Sequence, residues 1–170
     1  MITKELCFEK DIDEIDTYII KSSSSRGHIY FIWDGDIKIN IDFNQIYKSN
    51  ISGSPCTDEL IKFDLIVEKD IYSKIRFNNE TIKRLENLKD NAKKDSLTVL
   101  KLDRDDMISN GPKRLRDFTR QYLKDNPASF VALYKMQINR VIISESDMDV
   151  LRKMPKALKE HHRFELLYSQ

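Results

Sequence analysis

Lys113, Arg116, Arg120 and Lys124 recur at spacings of three, four and four, which lines them up on one face of a helix. Arg114 and Arg104 lie near the start of that row. Guanidinium groups take carboxylates or phosphates in a bidentate fork, so the row suits an acidic protein surface or a nucleic-acid backbone. Asp103, Asp105, Asp106 and Asp117 sit among these cations and partly offset them, as on an ordinary solvated face.

The groups that could do reaction chemistry are weaker. Asp64, Glu68 and Lys69 loosely resemble an acidic-plus-lysine nuclease pattern. That pattern needs its glutamate and lysine two apart on one strand face, and here they are adjacent. Asp34 and Asp36 flank a glycine where turn geometry alone favours aspartate. The run Asp103–Asp106 lacks the remaining positions of a calcium loop. His161 and His162 are neighbours, so on a helix they point about 100° apart and cannot easily grip one metal. His161 with Glu165 gives two ligands, too few for a zinc site. No Ser-His-Asp or Cys-His set and no glycine-rich phosphate loop can be inferred. The expectation is therefore a protein without catalytic residues, metal or cofactor.

The element that organises the chain is His28–Phe43, in which two apolar runs flank Asp34-Gly35, a strong hairpin signal. A two-residue turn there pairs Ile32 with Ile37 and Tyr30 with Ile39. It leaves Phe31 and Trp33 on the opposite face, either covered by a helix or exposed as partner anchors. Alternation then predicts strands over Leu60–Glu68 and Ile71–Phe77 with a turn at Lys69-Asp70, and a further strand at Leu97–Leu102. Residues 3–8 read as an edge strand, and Asp11 as the cap of a helix carrying Ile12, Ile15 and Ile19. Ser22–Gly27 reads as a loop. The segment 44–58 reads as a long surface loop with a helical turn at Gln45–Lys48.

Asn79 is placed as the cap of a helix from Glu80 to Lys94, with Ile82, Leu85, Leu88 and Ala92 inward. Asn110-Gly111-Pro112 marks a break, after which a helix runs from Pro112 to about Lys124 with Leu115, Phe118, Tyr122 and Leu123 inward. Ser129–Ile138 fits a helix or a buried strand equally. Val141–Ser144 reads as a short strand, Ser146 as a helix cap, and Pro155 as a kink or split. Hairpins with interspersed helices make the expected fold α+β: a single, mainly antiparallel sheet of five or six strands with helices packed on it, in one domain spanning 1–170.

Composition bounds the rest. A chain of 170 residues can bury roughly 70% of its unfolded surface without metal or disulfide staples. No apolar run reaches membrane-spanning length and the N-terminus lacks a signal-peptide core, so a cytoplasmic protein is expected. Cys7 and Cys56 read as reduced thiols. With 21 isoleucines against 4 alanines, and 19 lysines against 10 arginines, the composition suggests an AT-rich bacterial or viral genome. Residues 1–80 carry 10 basic and 15 acidic side chains, net −5, and residues 81–170 carry 19 and 13, net +6. Charge separation without catalytic groups points to a protein partner, a toxin or effector that this chain would neutralise in the manner of an immunity or antitoxin protein. Trp33, Phe31, Lys113, Arg116, Arg120 and Lys124 are the expected contacts. Nucleic-acid binding through the 112–124 helix is the alternative.

Overall fold

The computed structural model describes residues 15–21, 27–42, 45–87 and 94–167. The chain divides into two compact units, Met1–Asp58 and Glu59–Gln170. They carry opposite net charge: 6 basic and 10 acidic side chains, net −4, in the first, and 23 and 18, net +5, in the second.

The first unit is built on strands. Strand β1 (Asp16–Lys21) pairs antiparallel with β2 (His28–Trp33), and β3 (Lys38–Asn40) pairs antiparallel with β4 (Asn50–Ser52). Thr17, Tyr18, Ile19 and Ile20 are β-branched or aromatic, and this outweighs the helical spacing of Ile12, Ile15 and Ile19. The Asp34-Gly35 hairpin does not form, because β2 pairs with β1 and β3 with β4. Register places Tyr18 opposite Phe31, and the two rings stack with centroids 5.7 Å apart.

Side chains satisfy the β2 backbone at Ile32. Ser54 Oγ donates to the Ile32 carbonyl at 2.8 Å, and Thr57 Oγ1 accepts the Ile32 N–H at 2.9 Å. Ser54 also accepts from the Thr57 N–H at 2.9 Å and Pro55 follows it, so Ser54 caps helix α1 (Pro55–Val67). Asp34, expected to serve the turn, instead accepts the Cys56 N–H at 2.7 Å, an anion at a helix N-terminus. The 44–58 segment is therefore not one long loop: it holds a 3-10 turn at Ile46–Lys48, β4 and the start of α1. The expected turn at Gln45–Lys48 is present. Gly53 (φ +88°) sits where a β-carbon would lie 2.5 Å from the Asp36 carbonyl oxygen, so only glycine fits.

The second unit is helical. After α1 a π-helical stretch (Glu68–Tyr72) leads into α2 (Ser73–Asn87), and then come α3 (Lys94–Asp125), α4 (Phe130–Ile138), α5 (Glu145–Arg152), α6 (Lys156–Lys159) and α7 (His162–Leu166). The expected strands at Leu60–Glu68, Ile71–Phe77 and Leu97–Leu102 are all helical, and Lys69-Asp70 lies in the π-helical stretch. Leu60, Phe63, Val67 and Ile71 are buried while Leu65 is 63% exposed, a helical stripe and not an alternating one. Asn79 lies inside α2 rather than capping it.

The Asn110-Gly111-Pro112 break is absent: α3 runs through it. Proline removes the N–H that would bond the Ile108 carbonyl. Leu123 is buried as expected, with Leu115, Phe118 and Tyr122 half-buried.

Helix α4, capped by Ser129, is buried almost all round, with Phe130, Val131, Ala132, Leu133, Tyr134 and Met136 in the core. Val141–Ser144 does not form the expected strand. Ser144, not Ser146, caps α5, in a reciprocal box with Asp147. Pro155 splits α5 from α6 as expected.

The fold is therefore mixed α and β, but two two-stranded sheets replace the expected sheet of five or six strands among the described residues. The readings at 3–8, 11–14, 22–26, Leu88 and Ala92, together with Cys7, lie outside those residues.

Candidate protein-docking face

Phe63 fixes the orientation of the second half of α3: its ring lies 5.0 Å from both Phe118 and Tyr122. Tyr122 Oη donates to Glu59 Oε1 at 2.7 Å, and Ser129 Oγ donates to the same oxygen at 2.5 Å. Burial, then the Glu59 hydrogen bond and charge, push the Tyr122 phenol well above its ordinary range. With these side chains turned inward, the row that begins at Lys113 faces outward.

Arg120 leaves that row to hold the structure together. Its Nε donates to Asp147 Oδ2 at 3.1 Å, NH1 to Asp117 Oδ1 at 3.3 Å, and NH2 to the Ile142 carbonyl at 2.7 Å. Asp147 is fully buried. Burial alone would raise its carboxyl, but the Ser144 N–H (2.9 Å), the Ser144 Oγ (2.7 Å) and the Arg120 guanidinium outweigh that and hold it below the usual carboxylate range. Asp147 Oδ1 has no hydrogen-bond partner among the described residues. One residue before Arg120, Thr119 Oγ1 accepts from Asn139 Nδ2 at 2.9 Å. Thr119 and Arg120 thus strap the Asn139–Ser144 segment onto α3.

What the strapped segment shows to solvent is mixed in character. Val141 is buried, whereas Ile138 is 52% and Ile142 79% exposed, and Arg140 is exposed between them. Lys113, Arg114, Arg116, Lys124 and Arg140 make no hydrogen bond or ion pair through their side chains among the described residues. Lys113, Arg114 and Lys124 are exposed and Arg116 is half-buried. Among the described residues, α3 therefore carries unpaired cations, and Arg140 lies two residues from each of two exposed isoleucines.

No family model matches the chain, and no curated protein or solved structure is significantly similar to it. The residues alone carry the functional reading.

Of the contacts expected from sequence, Lys113, Arg116 and Lys124 share the outward side of α3. Arg120 shares their spacing but is engaged internally. Phe31 is a core side chain, 4% exposed, and Trp33 is half-buried with Tyr18 set edge-on against it at 5.5 Å.

The weaker chemical groupings are also engaged elsewhere. Asp64 binds Lys135 Nζ at 2.6 Å, Glu68 pairs with Arg76, and His161 is buried with Nδ1 accepting the Arg163 N–H at 3.1 Å. Among the described residues no three His, Cys, Asp or Glu side chains converge.

Sequence reading missed Arg140, Ile138 and Ile142. The only available signal was an arginine among isoleucines, in a segment that reads equally well as structure. It also missed Phe77, 66% exposed between two shallow depressions. One, of about 200 Å³, is lined by Glu68, Ser73, Arg76, Phe77 and Glu80; the other, of about 540 Å³, includes Asn78, Asp103 and Met107.

Proposed function

We propose that this protein is a non-enzymatic binding protein that docks on an acidic partner protein and blocks it, in the manner of an immunity or antitoxin protein. The observation that carries the proposal is a set of cations uncommitted among the described residues: Lys113 and Arg116 on the helix whose Arg120 holds the Ile142 carbonyl, and Arg140 two residues before the solvent-exposed Ile142. Interfaces of this kind draw affinity from a few arginine and apolar anchors, while charge steers the encounter. A polyanion such as DNA would reward the cations but leave Ile138 and Ile142 uncovered, and this favours a protein partner over the nucleic-acid alternative. Arg120 and Asp147 position the face and do not contact the partner. The site of action we assign is the cytoplasm. Among the described residues no helix is long and apolar enough to cross a membrane.

The test is affinity capture with the whole chain. The expected result is one protein recovered at fixed stoichiometry and lost with Arg116→Glu. Recovery of DNA or RNA instead, with affinity falling steeply as salt rises, would replace this reading with the nucleic-acid one.

A further inference from the structure

We propose that Arg140 is the specificity-determining contact of this face, and that it receives a carboxylate from a partner segment whose neighbouring apolar side chain covers Ile138 and Ile142. The inference rests on the docking reading above and names the chemistry of its occupant.

The end of α4 is a Schellman turn. The Val141 N–H bonds the Met136 carbonyl at 3.0 Å and the Arg140 N–H bonds the Gln137 carbonyl at 3.1 Å. The residue between these bonds adopts the left-handed conformation, a position that glycine fills without steric cost. Here it is Arg140, at φ +49°, and no other non-glycine residue among those described has positive φ. Its side chain is exposed and has no hydrogen bond, ion pair or ring contact among the described residues. The fold would accept glycine, so what arginine adds at this position is directed outward.

Its surroundings define what it would meet. Val141 is buried and the Ile142 carbonyl is held by Arg120, so the backbone on the C-terminal side of Arg140 is fixed. Asn139 is tied to Thr119 on the N-terminal side. Ile138, Arg140 and Ile142 alternate outward with these anchors. The cation is therefore offered from a rigid loop, which lowers the entropic cost of binding. An isoleucine on either side calls for apolar atoms around the charge that Arg140 takes. A protein segment with an aspartate or glutamate beside a leucine or isoleucine has that composition. A phosphate backbone does not.

The probes are a fluorescent synthetic peptide that mixes Asp and Glu with Leu and Ile, its Asn/Gln counterpart, and a short DNA duplex. Each is titrated against the full chain by anisotropy at low salt. The acidic peptide is expected to bind, with amide shifts confined to 113–124 and 138–142, and the neutral peptide to bind much more weakly. Arg140→Gly is expected to weaken the acidic peptide about tenfold or more while melting no lower than the parent. Arg140→Gln, which keeps the β-carbon and loses the charge, is expected to match that loss.

Wild-type affinity in both Arg140 variants, with Arg116→Glu impaired, would overturn this inference and leave the docking reading standing. Unchanged affinity in all three variants would overturn both, as would failure of the acidic peptide to bind. Duplex binding in preference to the peptide would overturn the protein occupant in favour of nucleic acid.

Discussion

Replacing Arg120 with methionine isolates the contact on which the docking face depends. The change keeps side-chain length but strips three hydrogen bonds. It leaves the Asp147 carboxylate, fully buried, with only the Ser144 N–H and Oγ. Orphaning one member of a fully buried ion pair costs about 3–5 kcal/mol. The Arg120 side chain is 29% exposed, so water takes up part of its role, and a cost of about 2–3 kcal/mol is expected. For a helical unit of this size that is a fall in Tm on the order of 10 °C.

The assay is thermal melting by circular dichroism between pH 7 and pH 2, with Asp147→Asn completing a double-mutant cycle. Because the folded Asp147 carboxyl lies below its ordinary value, its stabilisation is complete above pH ~4 and fades as pH falls through the folded value. The penalty of Arg120→Met should therefore shrink in acid and be smaller in the Asp147→Asn background, where the Ile142 and Asp117 bonds are what remains to be lost. A penalty that is the same at both ends of the pH range, or undiminished when the Asp147→Asn change is already present, would refute the assignment of Arg120 as the strap. So would a shift of only a degree or two.

Ser54→Ala should destabilise the first unit by about 1–2 kcal/mol, since one hydroxyl serves both the α1 cap and the Ile32 carbonyl; denaturant melts would show it. Arg140→Gly should fall between neutral and about 1 kcal/mol stabilising, as relief of the left-handed backbone is partly offset by the freer unfolded chain. Urea titration measures that. The Tyr122 phenol is raised in the folded state, so its stabilisation holds below pH ~10 and is lost as pH rises beyond it. Tyr122→Phe should flatten the alkaline fall in stability, and the wild type should show one tyrosine slow to ionise by absorbance.

The sequence carried the helix content of the second unit only where hydrophobic spacing was unambiguous. Leu115, Phe118, Tyr122 and Leu123 fit one period and lie inward as read. Phe63, Leu65 and Val67 fit a strand by alternation, while Leu60, Phe63 and Val67 fit a helix. The exposure of Leu65 decides between them, and a short apolar run does not announce it. Ser144 and Ser146 each have an aspartate three residues on, so local pattern offers two capping boxes. Arg120, far away in sequence, selects the first by reaching Asp147.

The Asp34-Gly35 reading fails for a similar reason. Its turn chemistry is real, but the partners of β2 are β1 and the Ser54–Thr57 corner, and strand pairing is settled by non-local contacts that turn residues do not encode. Helical spacing put Arg116 and Arg120 on one face. It could not show that one is bound and the other free.

That difference separates scaffold from contact surface. Lys135 lies 5.0 Å from the Phe63 ring centre while paired with Asp64, and Arg163 lies 5.0 Å from the Tyr134 ring centre while bonded to Gln137. With Arg120 these cations are largely desolvated and matched, so a partner would gain little from them and the fold would lose much by releasing them. Lys113, Arg116 and Arg140 make no such internal contact among the described residues. They lie in a unit already at net +5, and an arriving carboxylate offsets part of that excess as well as forming its own bond. The strap and the uncommitted charges beside it act together. Arg120 removes the freedom of the Asn139–Ser144 segment before any partner arrives, so the charge on Arg140 and the apolar surface of Ile142 are presented already ordered.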